Sequence, residues 1–320
     1  MSTIETYTDA SRPSASDSSG LCIFNTDSNA IEVSDGTSWF AYNSDGTTGN
    51  SLSLEFVRTN SERLDTTYTS GATNAFSVSF WMKSVDTTSY SIFLDSGSPC
   101  SNFTLWRPPN GYWYPSFRTT SGTNNQDPNV PIVVGQPNHD DAKTGGASSS
   151  FCDGNWHHVV VTLANEDVNG TSTARYIMYK DGSEFVNQLC ITANGWKNNE
   201  TYIGSSGLDI HTFGNRDWNV TTSLGYTGKM DQMAFFESAL TSTEVSTIYN
   251  SGNGGDLLTL GFSPDAYYRV GYYSEDTNSD GNVASAGNDI GTVADYSGNN
   301  DDASQATASL KPNYVADPAF

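Results

Sequence analysis

Apolar and polar residues alternate in SLSLEFV (51–57) and FSVSFWMK (76–83), the period of a strand with one buried face. In the second run Phe76, Val78, Phe80 and Met82 fall on one side. The rhythm continues through YSIFLD (90–95), WHHVVVTL (156–163), ARYIMYKDGSEF (174–185), YIGSS (202–206) and YTGKMDQMAFF (226–236). Lys180-Asp181-Gly182 reads as a hairpin turn. One segment breaks the period-two pattern with a helical one. In ALTSTEVSTIYNSG (239–252), Thr241 and Glu244 form a capping box, Val245, Ile248 and Tyr249 share a face, and Gly252 ends the helix.

Three regions depart from this central pattern. Residues 1–20 read as a Ser/Pro-rich arm, followed by a three-stranded meander at 21–42 with turns at Asp27-Ser28-Asn29 and Asp35-Gly36. A sheet of that size is marginal alone. Its apolar residues Leu21, Ile23, Ile31, Val33, Trp39 and Phe40 are expected to dock on a partner surface. Residues 96–150 form an insertion rich in Gly, Pro and Ser, holding the short strand candidates FTLWR and YWYPSF. Residues 254–320 form a β-rich extension in which LLTLGF and AYYRVGYY read as strands. The expected organisation is an arm and docking meander at 1–49, a sandwich at 50–253 and the extension at 254–320.

Composition narrows the class. Hydrophobic residues make up 36% and charged ones 16% of the 320 residues, a mix that favours short strands and many turns over long helices. With 12% aromatic residues the chain holds ample material for a packed core. The formal charge of −22 repels phosphate backbones and anionic membrane surfaces, so neither nucleic acid nor membrane is an expected partner. No run is apolar enough to span a bilayer. The first twenty residues lack the basic and apolar regions of a secretory leader. Four cysteines occur without a CxxC pair, which disfavours zinc. Cys22 and Cys190 sit in apolar runs and are expected to be buried thiols. Cys100 and Cys152 flank the insertion, where a disulfide and two free thiols are the alternatives.

The ordered set Phe76-Ser-Val-Ser-Phe-Trp81, Trp156-His-His-Val-Val-Val-Thr162, Tyr176 to Gly182, Tyr202-Ile-Gly204, Thr227-Gly228-Lys-Met-Asp231 and Ala239 to Tyr249 resembles the concanavalin A-like, laminin-G-type jelly-roll sandwich. The resemblance covers about residues 50–253 and implies an all-β jelly-roll. Asp295-Tyr-Ser-Gly-Asn299 resembles a turn that often accompanies such domains. The stretch Ile23-Phe-Asn-Thr-Asp27 with Ile31-Glu-Val-Ser-Asp-Gly-Thr-Ser-Trp39 resembles a short module of tailed-phage fibre and virion proteins. Together these imply a structural protein of a phage virion, assembled in the host cytoplasm.

Candidate chemistry is sparse. Adjacent strand residues point to opposite faces, so His157 and His158 are not placed to chelate one ion, and one is expected inside and one outside. The E-x-D-x-x-E pattern of the hydrolytic branch is absent, and NED (165–167) and SED (274–276) lie in turn-rich sequence. No catalytic residue is therefore assigned and no cofactor is required. Asp276, Asn278 and Asp280 fit the first half of a calcium loop, but Gly287 stands where its last acidic ligand belongs. A calcium site and a solvated turn are the two readings. Trp106, Tyr112, Trp113 and Trp218 are candidate stacking surfaces for a sugar ring. The expected function is a non-enzymatic virion protein, capsid decoration or surface knob. Its expected partners are other virion proteins and copies of itself. The alternatives are a tail or fibre adhesin for host-surface glycans and, after it, a glycoside hydrolase.

Overall fold

The alternating runs become strands that sort into three sheets. The computed structural model describes the chain outside residues 1–3, 9, 27–29, 35, 37–38, 43–51, 72–73, 90, 96–102, 108–113, 118–150, 170, 190–211, 216–223, 253, 255–256, 259, 272–275 and 317–320. The N-terminal sheet joins β1 (Glu5–Tyr7), β2 (Cys22–Asn25), β3 (Ala30–Ser34) and β4 (Trp39–Tyr42) in that order. The meander is therefore present, and the arm before it adds a strand. β1 runs parallel to β2, with Glu5 against Ile23 and Tyr7 against Asn25.

The sandwich begins with β5 (Ser53–Phe56), β6 (Leu64–Asp65), β7 (Ala75–Lys83), β8 (Ser91–Asp95), β9 (Phe103–Arg107) and β10 (Tyr114–Phe117). It continues with β11 (Trp156–Val168), β12 (Thr171–Lys180), β13 (Ser183–Leu189), β14 (Thr212–Phe213), β15 (Gly228–Phe236) and the helix α1 (Ser242–Tyr249). The last strands are β16 (Ala266–Tyr268), β17 (Thr277–Asn278), β18 (Ile290–Val293), β19 (Ala303–Ser304) and β20 (Asn313–Val315). One sheet runs β13-β12-β11-β7-β15-β5-β20, with β16 also paired to β15. The other runs β10-β9-β8-β14-β6-β19-β18-β17.

The core lies between these sheets. Phe76, Val78, Phe80 and Met82 of β7 point into it, as the alternation requires. They meet Phe93, Phe103, Leu105 and Phe213 from the opposite sheet in one cluster. Burying each large side chain contributes roughly 2–3 kcal/mol. Helix α1 packs on the outer face of the first sheet, where Val245 and Ile248 join Val160, Ala234 and Phe236 in a second cluster. Its capping box forms as read: Thr241 accepts from the Glu244 amide and Glu244 accepts from the Thr241 amide.

Three expectations change. The 254–320 section is part of the sandwich, since β16 pairs with β15, β19 with β6 and β20 with β5. Its strands thus pair with both sheets within the same chain. LLTLGF forms no strand: Leu257 is buried in the outer cluster, while Leu258 and Leu260 are exposed. The NED stretch is strand rather than turn: Asn165, Glu166 and Asp167 continue the β11 ladder opposite Ala174, Thr173 and Ser172 of β12, and Glu166 also takes Arg175 in a bidentate pair at 2.7 and 3.1 Å. YIGSS (202–206) lies outside the described residues.

Candidate functional site

The N-terminal sheet has two unlike faces. Register places Glu32 opposite Ile23 and Ala41, and Ser34 opposite Trp39. On that face Ile23, Asn25, Glu32 and Ser34 are buried. The preceding arm accounts for much of this. Arg12 pairs with Glu32 at 2.7 Å, Ser34 Oγ donates to the Ala15 carbonyl, and the Trp39 indole N–H donates to the Pro13 carbonyl. Asn25 donates its side-chain N–H to the other oxygen of Glu32 at 2.8 Å. The opposite face carries Cys22, Phe24, Ile31 and Val33, with Phe40 opposite Val33 in register. There Cys22 is exposed and Phe24, Ile31 and Val33 are half-buried.

The expected docking set is thus split. Ile23 and Trp39 belong to the arm-covered face, because strand residues alternate and Trp39 and Phe40 are adjacent. Ile31 and Val33 lie on the open face, and Leu21 just before β2 is 37% exposed. The side chain of Phe40 lies outside the described set. Cys22 is exposed rather than buried, since its position has the parity of the open face.

A second polar centre sits where β7 and β9 end and β11 begins. Phe103, Leu105 and Arg107 are all turned inward on β9, so the guanidinium is carried into the interior. Arg107 donates to the Cys152 sulfur at 3.0 Å, to Ser91 Oγ at 3.2 Å and to the Asp86 carbonyl. Arg58 pairs with the Asp86 carboxylate at 2.8 Å. Burial tends to raise the Asp86 pKa, but the Thr88 amide, Ser89 and Arg58 outweigh it and hold the carboxyl below its usual range. Burial pushes the Cys152 thiol up, against the pull of Arg107. Cys152 is a free thiol; Cys100 and Cys190 lie outside the described residues. Arg107 therefore ties together the two ends of the 108–150 segment, which carries candidate sugar-stacking residues. Trp106 is placed on β9, opposite Ile92 and Tyr114. Its side chain, like Tyr112, Trp113 and Trp218, lies outside the described set.

The paired histidines both turn out to be buried. His158 Nε2 lies 2.9 Å from Ser79 Oγ, and its ring sits near Trp81 and Tyr249. Burial lowers its pKa to about 3, so it is neutral. His157, expected either inside or in solvent, has a carboxylate at each ring nitrogen. Nδ1 lies 2.8 Å from Asp181 and Nε2 3.1 Å from Asp153. Sequence reasoning missed both partners because Asp153 reaches back from a turn and Asp181 comes from a separate hairpin.

The proposed calcium loop has a different arrangement. Asp276 is fully buried and accepts from the Gly271 and Ala294 amides. Asn278 Oδ1 accepts from the Asp280 and Asn282 amides, an Asx-type turn. Asp280 itself is exposed. Two of the three oxygens thus brace backbone, whereas a calcium loop turns them onto a shared ion. Among the described residues no group of three or more His, Cys, Asp or Glu is able to hold a metal ion.

The family model for the concanavalin A-like lectin/glucanases superfamily matches residues 56–246. Among solved structures, the native heptameric SAP-like pentraxin of Limulus polyphemus is similar at 15% identity and TM-score 0.39, over 64% of this chain and 84% of that one. A candidate carbohydrate-binding protein of Bacteroides ovatus is similar at 12% identity and TM-score 0.46, over 83% of this chain and 58% of that one. Domains LG4-5 of the mouse laminin α1 chain are similar at 12% identity and TM-score 0.36, over 60% of this chain and 43% of that one. No match was found among curated proteins.

Proposed function

Because the chain belongs to the concanavalin A-like lectin/glucanase superfamily, we propose that it is a non-enzymatic binding protein with two working parts. The sandwich presents a glycan-recognition surface, and the N-terminal sheet fixes it to a larger assembly. In this reading the assembly is the virion of a tailed bacteriophage, with the chain as capsid decoration or surface knob. A tail or fibre adhesin is the alternative placement.

The observation that carries the reading is the asymmetry of the N-terminal sheet. Its polar face is closed by its own arm, while Cys22, Phe24, Ile31 and Val33 leave an uncharged face partly open. The C-terminal section, being spent on closing the sandwich, is not free to cover it. Support for binding over hydrolysis is chemical. Glucanase action needs two carboxylates about 5–10 Å apart across the bond, and the sequence lacks the E-x-D-x-x-E pattern that supplies them.

The attachment half is tested with the full chain carrying Phe24→Asp and Val33→Asp. Both positions are already partly exposed, so the fold is expected to survive with an unchanged circular dichroism spectrum. Gold-labelled antibody is expected to decorate phage particles that carry the wild-type chain and to miss those that carry the variant. Equal labelling of both would remove the docking role from this face.

A further inference from the structure

We propose that His157 is a proton-operated clasp between the 151–155 loop and the β12–β13 turn. An imidazolium has two N–H donors, and a neutral imidazole has one donor and one lone pair. His157 presents Nδ1 to Asp181 at 2.8 Å and Nε2 to Asp153 at 3.1 Å. Both contacts are favourable only when the ring carries two protons. In the neutral ring one carboxylate faces a lone pair, and that contact becomes repulsive.

The neighbours decide which contact yields. Asp181 also accepts from the His158 amide at 3.0 Å and lies 3.7 Å from Lys180 Nζ. Asp153 has the Asn155 amide at 2.8 Å and is the more exposed partner, at 41% against 30%. On proton loss the ring keeps Asp181 and releases Asp153. The other groups facing the ring do not replace the lost charge. Phe151 presents its ring at 6.1 Å, Met82 of β7 is the residue opposite, and Lys83 is drawn to the Trp156 ring. Lys180 Nζ also sits 5.0 Å from the centroid of the Phe151 ring, a contact the His157 proton does not touch.

Both carboxyls are held in their ionised form. At Asp153 the Asn155 amide, together with His157, holds the pKa down. At Asp181 burial raises it, but His157 and the His158 amide outweigh that. Closed, the group of His157, Lys180, Asp153 and Asp181 is neutral. Open, it carries one net negative charge.

The test is amide hydrogen exchange of Gly154 and Asn155 in the full chain at pH 5 and pH 8, corrected for intrinsic rates, with the His157 ring followed by NMR. In wild type, exchange of the Asn155 amide is expected to rise about tenfold or more at pH 8, in step with ring deprotonation. Asp153→Asn removes the dependence, because an amide side chain offers either a donor or an acceptor to Nε2. His157→Gln, which does not titrate, gives a flat profile as well. A flat wild-type profile would overturn the clasp. So would a full response retained in either variant. If His157→Gln does not fold, Asp153→Asn alone decides, since its position is largely exposed.

Discussion

At the scale of single residues, buried charge decides more than the sequence shows. Arg107 spends its guanidinium on a thiol, a hydroxyl and a carbonyl inside the sandwich. Arg107→Ala leaves these groups without their donor and opens a cavity, and is expected to cost roughly 2–4 kcal/mol, read by chemical denaturation. The alternation did mark this position, because Phe103, Leu105 and Arg107 share a parity. It did not reveal the partners, since Cys152 and Asp86 come from distant parts of the chain. Asp276 gives a pH prediction. Burial pushes its pKa up to about 7, against the backbone amides that lower it. A carboxyl raised in the fold adds stability that is full below the unfolded value near 4 and is lost as pH rises through about 7. The melting temperature is expected to fall by roughly 5 °C between pH 5 and pH 8 from this group. Asp276→Asn should flatten that part of the profile, as scanning calorimetry at several pH values would show.

At the scale of elements, the features legible in sequence are those fixed by local chemistry. The capping box of α1 and the Asp181-Gly182 turn need only near neighbours, and both form as read. Thr241→Ala is expected to cost about 1 kcal/mol, by loss of the cap. Gly182 has a φ of +75°, and an added Cβ would lie 2.6 Å from the Tyr249 ring. Gly182→Ala is expected to cost about 2 kcal/mol or more and to loosen α1 against the sheet. Elements held by distant pairing were hidden. β19 and β20 are 2 and 3 residues long, too short for a period to show, and owe their form to β6 and β5 far back in the chain. The parallel strand β1 was hidden for the same reason. The faces of the N-terminal sheet were misjudged because its apolar residues were read as a group and not by parity.

For the whole molecule, one sandwich is closed by its own C-terminal section, and a small N-terminal sheet keeps one uncharged face partly open. A chain ending at residue 253 loses β16 to β20 and exposes the edges of β5 and β6. It is expected to be insoluble or unfolded, judged by expression and circular dichroism. A soluble, folded product would show that the section is dispensable to the sandwich. The central claim concerns recognition without cleavage. Its most direct test incubates the full chain with labelled bacterial-surface polysaccharides and measures both retention and polymer length. The account predicts that at least one polysaccharide is retained, that Trp113→Ala weakens retention, and that the polymer is recovered uncut. Shortened polymer, or no retention of any polysaccharide by a folded chain, would contradict it.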